Sequence, residues 1–337
     1  MCSKVSEKSN HMRNKAALSF IAILIIMFFA TGCAKQAQPV QRTGFMLDTV
    51  ITVTVYQCEN NDADDIISGA FDICSYYESI FSNTVSGSDI SRINCAGGRT
   101  VTVSEDTSDI LKTAVRYSEL TDGAFDVTIS PVSALWDFKS GKAAVPDESR
   151  IREALTHVDY RNIVISGNTV CLKDPEAAID LGGIAKGYIA DRMKEYMVSH
   201  GTDSAIINLG GNIDAIGENT DGTEFNIGIQ KPFAEQNEII TAVKIKDLSV
   251  VSSGPYERYF ERDGRIYHHI LDTDTGYPAE TGLNGVTILS ERSVDGDALS
   301  TSCFVLGYEK GKKLIQEMNR TDPSIKAVFI ASENRVE

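Results

Sequence analysis

Asp297 and Thr301 stand four residues apart in Ser293-Val-Asp-Gly-Asp-Ala-Leu-Ser-Thr-Ser302, at the head of an apolar run (Ala298, Leu299, Cys303, Phe304, Val305, Leu306). Residues four apart on a helix share a face, so the carboxylate and the hydroxyl point the same way. They offer two hard oxygen ligands, which suits Mg²⁺ in a site that also holds a phosphate. The same spacing fits an aspartate capping a helix, with a back-bonded threonine one turn later. Spacing alone does not separate the two readings, so partners elsewhere in the chain must decide.

A second constellation is Ile179-Asp-Leu-Gly-Gly-Ile-Ala-Lys-Gly-Tyr-Ile-Ala-Asp191. A strand-like approach ends at Gly182-Gly183, where backbone can come close to a ligand because no Cβ intervenes. The helix beginning there aims its free N–H groups and the positive end of its dipole at the same spot. Lys186 falls in the first turn, where a cation is unfavourable unless an anion lies nearby, and this conflict points to phosphate. Neither the Walker A pattern nor G-x-G-x-x-G is satisfied, which excludes two common nucleotide folds. Gly-Gly before a helix is also ordinary packing chemistry.

Three further segments carry chemically useful groups. Gly123-Ala-Phe-Asp-Val-Thr-Ile-Ser-Pro131 reads as a turn entering a strand and sets Phe125 beside Asp126. A ring next to a carboxylate could stack on and bond a flat heterocycle, or simply fill a core. Asn208-Leu-Gly-Gly-Asn212 reads as a structural turn. Tyr267-His-His-Ile-Leu-Asp-Thr-Asp-Thr-Gly276 holds two of the chain's five histidines. Neighbouring strand residues face opposite ways, so only one of His268 and His269 can face a site.

The elements that must position these groups follow from periodicity. Phe45–Tyr56 is β-branched and partly alternating and reads as a strand. Asp62–Phe81 and Asp106–Leu120 have helical spacing, the second ended by Thr121-Asp-Gly. Ser82–Gly98 reads as a polar loop. Asn162–Val164 and Thr169–Leu172 form a hairpin pair, followed by a helix over Ala185–Val198. Strands are expected at Ala205–Asn208, Phe225–Ile229, Ile240–Ile245 and Ser249–Ser252. Arg258–Phe260 and Tyr267–Leu271 pair around Asp263-Gly264. Gly285–Leu289, the Asp297 helix and Ala327–Ala331 complete the chain. Strict βαβ alternation is missing, which favours an α+β fold with largely antiparallel or mixed sheets and packed helices. No long Pro-, Ser- or Gly-rich stretch divides it, so one large domain or two intimate subdomains are expected.

The N-terminus sets the compartment. Lys4, Lys8, Arg13 and Lys15 precede an apolar run of fifteen residues, Ala16–Ala30, and then Thr31-Gly32-Cys33. A membrane span needs roughly 20 residues, whereas a basic, apolar and small-residue series marks a secretory signal. Cys33 after Gly32 resembles a bacterial lipobox, although Ala30 stands where that pattern favours leucine. The expected division is residues 1–32 signal peptide, 33–42 tether and 43–337 catalytic domain. Cys33 would be lipidated and the protein anchored to the cell membrane on its extracytoplasmic face; an uncleaved anchor is the alternative. Removing residues 1–32 changes the net charge from −15 to −18. Such an acidic protein does not bind nucleic acid by phosphate neutralisation and is repelled by an anionic membrane, leaving the lipid to hold it. Cys58, Cys74, Cys95, Cys171 and Cys303 show no C-x-x-C pattern and read mostly as small buried hydrophobes.

Taken together, G-A-F-D-V-T, D-x-G-G-I-A-K-G, L-G-G-N, S-G-x-Y-E-R-Y-F, H-I-L-D-x-x-T-G and D-A-L-S-T, in this order behind a lipobox, resemble the ApbE family of FAD:protein FMN transferases. The resemblance runs from about Phe45 to the end. It implies an ApbE-like, T-fold-like architecture and a Mg²⁺-dependent enzyme. That enzyme would transfer FMN from FAD to a threonine or serine hydroxyl of a partner flavoprotein, releasing AMP. The metal ligands it implies are Gly183, through its carbonyl, with Asp297 and Thr301. The FAD contacts it implies are Ala124, Phe125, Asp126, Asp180, Lys186 and Leu271. His269 is the base it implies, with a pKa able to sit near neutrality. Acceptors would be membrane electron-transport subunits or extracytoplasmic reductases with an FMN-binding domain. Leu47-Asp48-Thr49, Ser82-Asn83-Thr84 and Thr273 depart from the family's Met-Gly-Thr, Ser-Thr-Tyr and proline at those places. Two alternatives share the same residues: a pyrophosphatase giving FMN and AMP, and a non-catalytic FAD-binding lipoprotein.

Overall fold

A computed structural model describes residues 38–59, 62–136, 138, 144–235, 238–331 and 336. The signal segment, Cys33 and most of the tether therefore lie outside the described residues. The first elements are β1 (Val40–Met46), β2 (Thr49–Cys58), α1 (Ala63–Phe81), α2 (Asp89–Asn94), β3 (Val101–Thr102) and α3 (Glu105–Leu120). Next come α4 (Ser130–Ser133), α5 (Glu148–Leu155), β4 (Ile163–Ser166), β5 (Thr169–Leu172) and α6 (Ala185–Ser199). The chain continues with β6 (Thr202–Leu209), β7 (Asn212–Ile216), β8 (Phe225–Gln230), β9 (Ile239–Ile245) and β10 (Ser249–Ser253). It ends with β11 (Tyr259–Arg262), β12 (Arg265–His268), β13 (Leu283–Ser290), α7 (Ser293–Asn319) and β14 (Lys326–Ala331).

Seven strands form one antiparallel sheet in the order β1-β2-β6-β7-β10-β13-β14. The two faces of the sheet are written in the alternation of its strands. Ile51, Val53 and Val55 of β2, Ala205 and Ile207 of β6, and Val286 and Ile288 of β13 enter the core shared with helices α1, α6 and α7. On the opposite face Ala215, Val250 and Leu289 meet Phe225 and Ile245 of the β8–β9 hairpin. A third cluster, the smaller subdomain, gathers Val132, Trp136, Ile151 and Leu271 beside the β11–β12 hairpin. Residues 39–337 form one compact unit. The architecture is α+β with antiparallel sheets, as expected.

Several local expectations change. Phe45–Tyr56 is two strands rather than one, because the chain reverses at Leu47 and Asp48 with φ of 54° and 57°. Such a turn is usually announced by Asn-Gly or Asp-Gly, and here a Glu78 carboxylate accepting from the Leu47 N–H (2.8 Å) steadies it instead. Pairing begins at Val40, within the segment assigned to the tether. The loop after α1 contains α2, capped by the Ser88 hydroxyl on the Ser91 N–H (2.9 Å). Residues 123–129 are turns, not a strand, touching Ala178 through a single parallel bridge at Ile129, and Ser130-Pro131 open α4. The approach to Gly182-Gly183 is likewise irregular chain. Strand β7 follows directly from the glycine turn, too close to it to stand out in the sequence. Among the described cysteines only Cys74 and Cys303 are buried, while Cys95 is exposed.

Candidate active site

Helices α6 and α7 cross so closely that a Cβ at Gly187 would lie 2.4 Å from the Ser293 carbonyl oxygen. Neither helix has a cap of its own: Ile184 and Arg292 occupy the cap positions without a side-chain bond. Each helix caps the other. The Asp297 Oδ2 of α7 accepts from the Gly187 N–H (2.8 Å), at the open end of α6. Asp191 of α6 accepts from the Ser293 N–H (2.6 Å) and the Val294 N–H (3.0 Å), at the open end of α7. The orphan donors of both first turns are thereby satisfied across the crossing. Burial, with the Asp214 charge behind it, pushes the Asp191 carboxyl up to about 7.

The crossing settles the two readings of the Asp297/Thr301 pair. Asp297 does cap a helix, but not its own. Thr301 is not the back-bonded residue either: Ser300 and Ser302 donate to the carbonyls of Asp297 and Ala298. Among the described residues Thr301 Oγ1 meets only the Ser253 hydroxyl, at 3.3 Å. A Cβ built on Gly183 would sit 3.7 Å from Thr301 Oγ1 and 3.1 Å from the Phe125 ring, so glycine keeps this approach open. Lys186 Nζ lies 3.5 Å from Asp297 Oδ1. Burial opposes the Lys186 ammonium, but the charges of Asp297 and Glu257 prevail and raise its pKa. The anion expected beside Lys186 is thus present as a carboxylate.

These groups open on a cavity of about 1080 Å³. Its second side is the 123–127 loop, tied to the glycine turn by the Asp180 N–H on the Val127 carbonyl (2.8 Å). Phe125 is buried against Gly183. Asp126 binds the Thr128 N–H (2.8 Å) and hydroxyl (2.7 Å) with one oxygen and the Tyr160 N–H (2.8 Å) with the other. Its carboxylate thus shapes the loop, although burial still raises its pKa. Asp180 Oδ1 accepts from the Gly182 N–H (2.9 Å). Thr273, at the place of the family's proline, donates to the Gly123 carbonyl (2.8 Å) and fastens the loop from the far side.

The third side is the strap over residues 252–271. His269 binds the Arg258 carbonyl through its N–H (3.1 Å) and its Nδ1 (3.3 Å). The bond at Nδ1 places the proton there and leaves Nε2 as the lone-pair nitrogen. Burial first, and then the Arg258 charge, push the His269 pKa down to about 3, away from the neutral value expected. His268 faces the other way, buried edge-on against Phe304 (5.6 Å). Glu257 faces the water of the cavity with protein closed round it; this burial, reinforced by Asp297 and opposed by Lys186 and Arg258, pushes it up to about 7.

Residues 47–329 match the family model of the ApbE family. The chain belongs to that family. It is 34% identical to the FAD:protein FMN transferase of Treponema pallidum, over 96% of this chain and 94% of that protein. With an FAD:protein FMN transferase of Klebsiella pneumoniae it shares 38% identity, over 80% of this chain and 83% of that one. The crystal structure of the ApbE protein of Thermotoga maritima superposes with a TM-score of 0.82 at 32% identity, covering 89% of this chain and 96% of that one.

Ala124, Phe125, Asp126, Asp180, Gly183, Lys186, His269, Leu271, Asp297 and Thr301 all line the one cavity of this ApbE-family chain. Four elements far apart in sequence bring them together. Sequence reasoning passed over other residues of the lining: Glu78, Trp136, Ser253, Glu257 and Arg258. Trp136, the chain's single tryptophan, carried a compositional signal; its indole N–H bonds the Gly276 carbonyl (3.0 Å). Arg258 and Glu257 stood within S-G-x-Y-E-R-Y-F without an assigned role. Among the described residues no three His, Cys, Asp or Glu side chains cluster as a metal site.

Proposed function

We propose that this chain transfers FMN from FAD to a threonine or serine hydroxyl of a partner flavoprotein, releasing AMP. The observation carrying this reading is the convergence of Gly183, Lys186, Asp297, Thr301 and His269 on one cavity of about 1080 Å³. That volume lies at the upper end of ligand pockets and suits a dinucleotide. Relatives over nearly the full length are named for the same reaction.

The donor set fits Mg²⁺: a carboxylate, a hydroxyl and the Gly183 carbonyl are hard oxygens. The helix end engages Asp297 Oδ2, Oδ1 meets Lys186 Nζ at a long 3.5 Å, and Thr301 Oγ1 has, among the described residues, only its long contact with Ser253. Bound there, Mg²⁺ would supply charge neutralisation at the pyrophosphate oxygens. Lys186 and the α6 end attract the same anion. His269, uncharged throughout the neutral range, accepts the proton of the attacking hydroxyl at Nε2. The 123–127 loop and Leu271 shape the ring-binding side. The lipobox supports anchoring through Cys33 on the extracytoplasmic face, where flavoproteins of membrane electron transport or extracytoplasmic reductases are the acceptors.

The test incubates the full chain with FAD, Mg²⁺ and an acceptor bearing an FMN-binding domain. One FMN covalently added to the acceptor for each AMP released is expected. AMP release without labelling would replace this reading with FAD hydrolysis.

A further inference from the structure

Among the described residues the cavity lining holds six carboxylates, of Asp48, Glu78, Asp126, Asp180, Glu257 and Asp297, and two cations, Lys186 and Arg258. The two cations differ in commitment. Lys186 is ion-paired with Asp297 at 3.5 Å. The Arg258 guanidinium forms no ion pair and donates no hydrogen bond among the described residues, although the side chain is only half exposed. Its backbone carbonyl accepts from both the N–H and the Nδ1 of His269. An uncommitted guanidinium in an acidic pocket is poised for an anionic ligand, and its planar fork matches two phosphate oxygens at once.

Resting on the reaction proposed above, we infer that Arg258 binds the phosphoryl group being transferred, the flavin-side phosphate of FAD. The argument is one of position. In the reaction the acceptor oxygen forms a bond to the flavin-side phosphorus while the bond from that phosphorus to the bridging oxygen breaks. AMP departs with the electron pair, and the hydroxyl proton passes to His269 Nε2. The base must therefore stand beside the flavin-side phosphorus. Arg258 is fixed to that base through its own carbonyl, whereas Lys186 is paired with Asp297. The charge on the transferred group spreads over its outer oxygens in the transition state, and a guanidinium beside the base meets it there. Burial first, and then the same cation, disfavour the charged form of His269, so Arg258 bears on both the base and the phosphoryl group that the acceptor oxygen attacks.

The test splits the substrate into its halves. FMN and AMP are titrated calorimetrically into the full chain with Mg²⁺, in wild type and in the Arg258→Gln and Arg258→Lys variants; riboflavin serves as the phosphate-free control. Arg258→Gln is expected to weaken FMN at least tenfold, to leave AMP and riboflavin within twofold, and to lower kcat about a hundredfold, with Arg258→Lys recovering part of both losses. FMN affinity within twofold of wild type, a loss falling on AMP, or a loss of riboflavin as well would overturn the assignment. A wild-type chain that labels no acceptor would refute the proposed function instead, and the FMN and AMP titrations would still decide the role of Arg258.

Discussion

The two sides of the cavity are built on different principles. The α6–α7 crossing is closed upon itself: each helix caps the other, and Asp191, Ser293 and Asp297 all have partners in the protein. The 252–271 strap is open. His269 hangs from one carbonyl, Arg258 forms no ion pair among the described residues, and Glu257 faces the cavity at the upper edge of the carboxylate range. The difference teaches a division of labour. Groups that hold charge must not move, so they are anchored in a buried crossing. Groups that receive a proton or a migrating phosphate must stay unengaged until the substrate arrives.

Breaking the anchored side should have the largest effect. Asp297→Ala removes both a candidate metal ligand and the cap of α6, and activity should fall on the order of 10³-fold, read as FMN incorporated per minute. A variant that keeps a tenth of the activity would show that the crossing does not serve the reaction. On the open side, His269→Gln should lower kcat about 10²-fold while the KM for FAD changes little. A rise in KM with kcat unchanged would make the histidine a binding group.

Asp191→Asn separates anchoring from contact, because this side chain lines no part of the cavity. An amide can accept only one of the two helix-end N–H bonds, so stability should drop by about 1–3 kcal/mol. Mn²⁺ affinity, followed by its electron-spin signal, should weaken with it. Unchanged Mn²⁺ binding in a destabilised variant would reduce the reciprocal capping to a folding device.

A smaller effect concerns pH. The His269 pKa is about 3 in the folded protein against an ordinary 6.5, so the unfolded chain binds the extra proton first. Its contribution to stability is complete above about 6.5 and is lost as pH falls towards 3. His268, pushed down to about 4 by burial, acts in the same direction. Melting temperatures of His269→Gln should consequently fall less steeply than those of wild type across that window. An equal slope would mean that His269 is not held uncharged.

Much of this comparison was legible in the residues. The spacing of Asp297 and Thr301 showed a shared helix face, and Gly182-Gly183 with Lys186 showed a helix end that wanted an anion. The alternation of β2, β6 and β13 gave the sheet its two faces. What stayed hidden depends on distant contacts. That Asp297 caps α6 across the crossing, 110 residues away, cannot be read from local spacing. The turn at Leu47 and Asp48 uses left-handed backbone without glycine and relies on Glu78, from another helix. The low His269 pKa arises from burial and from Arg258, neither of which a strand pattern reveals. Irregular chain at residues 123–129 masqueraded as a strand because its residues are apolar and β-branched, while its turns are held by Asp126.

The most direct measurement is the intact mass of an acceptor flavoprotein after incubation with FAD and the full chain, taken with Mg²⁺, after chelation, and after Mg²⁺ is restored. The account predicts one added FMN, its loss on chelation, its return with the metal, and no addition with Asp297→Ala under any condition. Full labelling in chelator, or by Asp297→Ala, would contradict it.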